Sequence, residues 1–173
     1  MWLWNLATRR PVATLHASAH NLVMGVAFSP SGRLLASAGL DGSVRLWNPA
    51  TGQPVGAPLE TRAQHGATSV AFSPDGKLLA SGGIDGTVRL WNAATGQPIG
   101  ATLHASAHGV PSVAFSRDGT LLAASDVVAG TVQVLQVSLL THAYSALCAY
   151  VGPPTSQEWH QYAFGERQPK ACG

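Results

Sequence analysis

Residues 70–91 read VAFSPDGKLLASGGIDGTVRLW, and the fold follows from how this stretch is read. A short apolar run (Val70, Ala71, Phe72) meets a Pro74-Asp75-Gly76 turn. A second run (Leu78, Leu79, Ala80) meets an Asp85-Gly86 turn, and an alternating run ends at Trp91. Such residues predict three strands joined by two tight turns. The same text stands 44 residues earlier as VAFSPSGRLLASAGLDGSVRLW, from Val26 to Trp47. It returns in weakened form from Val113, as VAFSRDGTLLAAS, 43 residues further on. Self-similarity at this period predicts an array of small antiparallel sheets whose faces are buried only against their neighbours.

The motifs are Phe-Ser-Pro-Asp-Gly at 72–76, Leu-Leu-Ala-Ser at 78–81 and Asp-Gly-Thr-Val-Arg-Leu-Trp-Asn at 85–92, with His65 upstream. Recurring in register over about residues 1–136, they resemble the WD-repeat family. The resemblance implies an all-β chain, a partial WD-repeat β-propeller of four-stranded antiparallel blades. The first full blade is expected from Val23 to Leu59, with strands at Val23–Phe28, Leu34–Ala38, Val44–Asn48 and Pro54–Leu59. The second is expected from Thr68 to Leu103. The third keeps Val113–Phe115 and Leu121–Ser125, and Leu135 stands where a tryptophan belongs.

Residues 1–8, MWLWNLAT, align with VRLWNPAT at 44–51, so Trp4 matches Trp47 and lies on a third strand whose first two strands do not precede it. Pro11–Leu15 is then an outermost strand. The organisation expected is an incomplete blade at 1–15, two complete blades and one degenerate blade at 16–137, and a helical cap at 138–173. Leu140, Tyr144, Leu147, Cys148 and Val151 keep helical spacing up to Gly152-Pro153-Pro154, and Thr155-x-x-Glu158 is a capping box before Trp159 and Tyr162. This tail resembles the C-terminal end of bacterial WD-repeat proteins attached to STAND-type signalling NTPases. That implies the last portion of a signalling sensor, cut at its N-terminus.

Composition narrows the partners. Only 10% of the 173 residues are charged, the formal net charge is +2, and Arg9-Arg10 is the sole adjacent basic pair, so no basic stripe invites nucleic acid. The longest apolar region, Leu121 to Leu140, is interrupted by Asp126, Gln133 and Gln136 and falls short of a membrane span. Two cysteines, Cys148 and Cys172, do not make a disulfide scaffold, and a reducing cytoplasm is expected. Arg9-Arg10 followed by Ala17-Ser18-Ala19 imitates an export signal, yet LHASAH at 15–20 recurs at 103–108, in mid-chain.

The resemblance further implies a hydrogen-bonded set in each well-formed blade: His20, Ser37, Asp41 and Trp47 in the first, His65, Ser81, Asp85 and Trp91 in the second. Indole, hydroxyl and imidazole are costly to bury alone, and a satisfied network fixes a blade's register. In the third blade His108 and Ser125 are retained, while Ala129 lies at or beside the aspartate position and Leu135 replaces the tryptophan. The same residue types compose a hydrolase triad. The set occurs twice in equivalent places, however, and neither serine lies in a Gly-x-Ser-x-Gly elbow, so no catalytic residue is expected. A hydrolase built on His65, Ser81 and Asp85 is the competing reading, and a truncated remnant with no independent role is a third.

No metal or cofactor is expected either. His16 and His20, and again His104 and His108, are four apart, but in an extended segment that spacing separates them by roughly 13 Å, too far for one ion. The expected partner is another protein. In WD rings the loops entering the first strand and leaving the second converge on one face, which points to Asn21, Met24 and Leu40 in the first blade and Gly66, Thr68 and Ile84 in the second. Self-association is also expected, with the Pro11–Leu15 strand of one copy completing the third blade of another.

Overall fold

The computed structural model describes residues 1–15, 22–61 and 66–137. The chain is all-β: among the described residues thirteen strands form one two-stranded sheet, two four-stranded sheets and one three-stranded sheet, all antiparallel. The expected helical cap lies outside the described residues, as do His16, His20, Asn21 and His65. Among the described residues no helix is long and apolar enough to cross a membrane.

Strands β1 (Trp2–Asn5) and β2 (Arg10–Thr14) make the N-terminal part-blade. Blade one consists of β3 (Val23–Phe28), β4 (Leu35–Gly39), β5 (Ser43–Trp47) and β6 (Leu59–Glu60). Blade two consists of β7 (Ala67–Phe72), β8 (Leu78–Gly83), β9 (Thr87–Asn92) and β10 (Pro98–His104). Blade three has β11 (Val113–Phe115), β12 (Leu121–Ser125) and β13 (Val132–Gln136).

The β-hairpins follow from their turn residues. The Ser73 hydroxyl donates to Asp75 at 2.6 Å and accepts the Leu78 amide at 2.9 Å, so the Ser-Pro-Asp-Gly turn closes on its own side chains. Ser116 and Asp118 repeat the arrangement before β12. Asn48 and Asn92 each accept two backbone amides where the third strand turns into the fourth.

The core lies between sheets. Ala36, Ala38, Val44 and Leu46 of blade one pack on Val70, Leu79 and Trp91 of blade two. Ala80, Val88 and Leu90 of blade two pack on Val113, Leu122 and Ala124 of blade three. The two complete blades thus show alanines and aliphatic side chains to the next blade, and their tryptophans to the preceding one. The part-blade follows the rule: Leu3, Ala13 and Leu15 seat on Leu35 and Trp47.

Two expectations are corrected. The fourth strand of blade one was expected over Pro54–Leu59, but only Leu59–Glu60 pairs as a strand, with one isolated bridge between Trp47 and Pro54. Pro54 and Pro58 have no N–H to give the ladder, and the register slips across Gly56-Ala57. In blade two Thr102 replaces the second proline and the strand runs unbroken, although its register still shifts between Ile99 and Leu103.

The second correction concerns Ser125. Val113 pairs with Ala124 as Val70 pairs with Ser81, so Ala124 occupies the serine position of blade three. Ser125 is one residue further on and belongs to the opposite face, since neighbouring strand residues alternate. Its hydroxyl meets the Ser112 carbonyl at 3.3 Å.

Candidate interaction surface

In both complete blades the third strand carries a tryptophan whose ring is folded against the preceding blade, and the second strand carries a serine two ladder steps away. Trp47 Nε1 donates to Ser37 Oγ at 2.9 Å, and Trp91 Nε1 donates to Ser81 Oγ at 3.0 Å. Both pairs are buried, so each indole N–H finds in the hydroxyl the acceptor it would otherwise take from water.

The aspartates are engaged elsewhere. Asp41 Oδ1 accepts the Ser43 amide at 3.1 Å and hydroxyl at 2.7 Å, and its Oδ2 meets Arg45 at 2.8 Å. Burial alone would push the Asp41 carboxyl up. The Ser43 hydroxyl and the Arg45 guanidinium outweigh it and hold the group below the ordinary carboxylate range. Asp85 repeats the arrangement with Thr87, at 3.1 Å to the amide and 2.6 Å to the hydroxyl, and Arg89 stands 3.8 Å away. These carboxylates therefore tie the turn to the third strand.

Blade three achieves a related hold from a residue the repeat pattern does not single out. Asp126 accepts the Val128 and Ala129 amides with one oxygen and the Ser106 hydroxyl, at 2.7 Å, with the other. Ser106 also accepts the His108 amide at 2.9 Å, so Asp126 anchors the entry loop of its own blade. The signal in the sequence is an aspartate directly before Val127-Val128-Ala129, an Asx turn displaced by the extra residue of this repeat.

The predicted docking residues divide into two groups. Met24 is half exposed, and Leu40 and Ile84 stand at turn tips, Ile84 with more than a third of its surface open. Gly66 and Thr68 are spent on packing. Gly66 has φ +101°, and a Cβ there would lie 2.6 Å from the Leu40 Cα, so only glycine lets the entry loop of blade two rest on the Leu40 turn. Gly109 stands on Ile84 in the same way, at φ +109° and 3.1 Å. Thr68 places its hydroxyl against the Gly82 carbonyl at 3.0 Å and close to that of Val110. Leu40 and Ile84 thus sit at the joints between blades, Ile84 exposed and Leu40 half-buried, while Asn21 lies outside the described residues.

The pattern also does not announce a groove of about 620 Å³ between the outer strands of blades one and two, lined among others by Ala57, Leu59, Arg89, Trp91 and Ile99. Gly56 and Ala57, between the Trp47–Pro54 bridge and the Val44–Leu59 pair, form part of its wall. Among the described residues no three His, Cys, Asp or Glu side chains gather as metal ligands.

The family model described as "WD domain, G-beta repeat" matches residues 9–48, 56–92 and 98–134, well over half of the chain. Each match ends on a third strand, and the first begins on the outer strand of the part-blade, so repeat and blade are out of phase by one strand. Ribosome assembly protein 4 of Saccharomyces cerevisiae (strain ATCC 204508 / S288c) is 43% identical over 54 residues, 31% of this chain and 10% of that protein. The chain therefore spans about a tenth of the length of this curated relative. The crystal structure of the computationally designed Ika8 protein is similar with a TM-score of 0.64 and 25% identity, over 78% of this chain and 39% of that one.

Proposed function

Since this chain belongs to the WD-repeat family, we propose that it works as a non-enzymatic protein-interaction scaffold whose docking face is the row of blade joints marked by Met24, Leu40 and Ile84. WD repeats suggest a scaffold in general, and the observation that carries the reading here is how the polar residues are used. Ser37 and Ser81 are 2% exposed and accept from tryptophan, and Asp41 and Asp85 hold turns, so the serines and aspartates of the competing reading are engaged in maintaining the blades. The apolar Leu40 and Ile84 stand at repeat-equivalent tips, half-buried and exposed respectively, where contact with water gains nothing.

The finer reading is a cytoplasmic portion of a bacterial signalling sensor. Its support is the resemblance of the C-terminal sequence to proteins attached to STAND-type NTPases, and the chain's modest, mixed charge. Self-association through the end blades belongs to the same reading. Strand exchange would have to withdraw β2 from β1 and lift Leu15, 1% exposed, off blade one.

The test is a comparison of the proteins retained by the wild type and by Leu40→Asp/Ile84→Asp, after circular dichroism shows that both are folded. Loss of specific partners from the variant is expected. An unchanged partner set, or labelling of Ser81 by a serine-reactive phosphonate, overturns the proposal.

A further inference from the structure

The outer rim of blade one carries a stretch of backbone that its own sheet does not use. Between the Trp47–Pro54 bridge and the Val44–Leu59 pair, Val55, Gly56, Ala57 and Pro58 are all exposed. The Val55 amide donates to the Leu46 carbonyl at 2.8 Å. Beyond that bond, the amides of Gly56 and Ala57 and the carbonyls of Val55, Gly56 and Ala57 make no hydrogen bond to another described residue. Each of these groups is a strong donor or acceptor that must find a partner, and here the partner is solvent. In blade two the equivalent residues belong to the continuous strand β10, and Ile99, Ala101 and Thr102 are half-buried.

This stretch is also one wall of the groove of about 620 Å³ between the outer strands of blades one and two. Pro98 and Ile99 line the other wall together with Arg89. Among the described lining residues Arg89 is the one cation, and Glu60, laddered to Ser43, is the one anion. The arginines of the two blades are held differently. Arg45 meets Asp41 at 2.8 Å, whereas Arg89 stands 3.8 Å from Asp85 and donates to the Thr87 hydroxyl. A guanidinium carries five N–H donors in a planar fork, so Arg89 can accommodate a further carboxylate while keeping these contacts. Unused backbone, apolar walls and a cation thus adjoin one another.

We propose that the groove docks an extended segment of another protein in which an apolar residue and an acidic residue stand two apart. The segment's backbone takes up the Gly56 and Ala57 amides and the carbonyls beside them, in the manner of main-chain peptide recognition. Side chains two apart on an extended chain face the same way, roughly 7 Å from one another. One of them, apolar, enters between Val55, Pro58 and Ile99, and the other brings its carboxylate to Arg89. Blades one and two each hold four strands, so the segment lies at a joint between complete blades and finishes no sheet. Met24, Leu40 and Ile84 do not line this groove, so it is a second docking place, and either proposal can fail without the other.

The probe is a fluorescein-labelled synthetic peptide, TVTITDTVT, whose apolar residues and aspartate alternate with threonine, titrated with the full chain and followed by anisotropy. Saturable one-to-one binding is expected, unchanged in Leu40→Asp. A peptide with lysine in place of its aspartate should bind at least about tenfold more weakly, the worth of one charge-assisted hydrogen bond. Methylating alternate backbone nitrogens of the peptide should weaken it by a similar factor, because several main-chain bonds are lost together. Ala57→Glu, at an exposed position of the wall and shown by circular dichroism to be folded, should weaken the aspartate peptide about tenfold and narrow its advantage over the lysine peptide. Absence of saturable binding, equal binding of the lysine or the methylated peptide, or full binding by Ala57→Glu would each overturn the proposal. Self-association of the chain that Ala57→Glu abolishes, with no binding of the peptide, would assign the groove to a second copy and overturn it as well.

Discussion

Trp91 donates its indole N–H to the Ser81 hydroxyl across 3.0 Å, and the two side chains seal one another from water on adjacent strands of the same blade. Truncating Trp91 to alanine empties a large volume between blades one and two and leaves the hydroxyl without its donor. A loss of about 3–5 kcal/mol is expected in urea unfolding. Trp4→Ala, at the same repeat position but more than half exposed, should change stability by less than about 1 kcal/mol. Equal losses would mean that the N-terminal ribbon has been placed wrongly.

Gly66 and Gly32 both hold a left-handed backbone, at φ +101° and +67°, but only Gly66 faces a crowded neighbour. Gly32→Ala should cost about 1 kcal/mol of backbone strain. Gly66→Ala carries that strain and a clash with the Leu40 backbone, so it should exceed Gly32→Ala by at least about 1 kcal/mol in the same denaturation assay. Similar costs would remove the blade joint as the cause.

The Asp41 carboxyl is held below its ordinary value of 3.8, so its stabilising contribution is complete above that pH and is lost as the pH falls through the lower, folded-state value. Asp41→Asn should therefore lower the melting temperature at neutral pH and reduce the acid-side slope of stability below about pH 4. Scans of melting temperature from pH 2 to 7 measure both. A variant whose acid slope equals that of the wild type would show that this carboxyl has no part in acid unfolding.

Blade three lacks both halves of the tryptophan–serine pair, since Leu135 and Ala124 take their places. Leu135→Trp alone should destabilise by about 1–3 kcal/mol, from overpacking and an indole N–H without its acceptor. Adding Ala124→Ser supplies that acceptor, and the double variant should recover about 1 kcal/mol beyond the sum of the single changes. Strict additivity would mean that the register of β12 against β13 is not that of blade two.

Much of this was legible because a repeat reports its own register. The offset between Trp47 and Trp91, the Asp-Gly turns and the Leu-Leu-Ala-Ser runs determined an all-β chain of stacked four-stranded units, and the WD-repeat resemblance they carry implied the pairing of Ser37 and Ser81 with the two tryptophans. Local turn chemistry acts over a few residues, which is why sequence alone specifies it. What only the tertiary structure decided depends on neighbours distant in the chain. Ser125 and Ala124 differ by one step, and pairing with Val113 chose the face. Pro58 and Thr102 occupy equivalent positions, and the ladder to β5 or β9 decided which outer strand would hold. Val26 and Val70 are the same residue in the same motif, yet one is exposed and the other buried, because burial belongs to the blade that stands alongside and not to the strand itself.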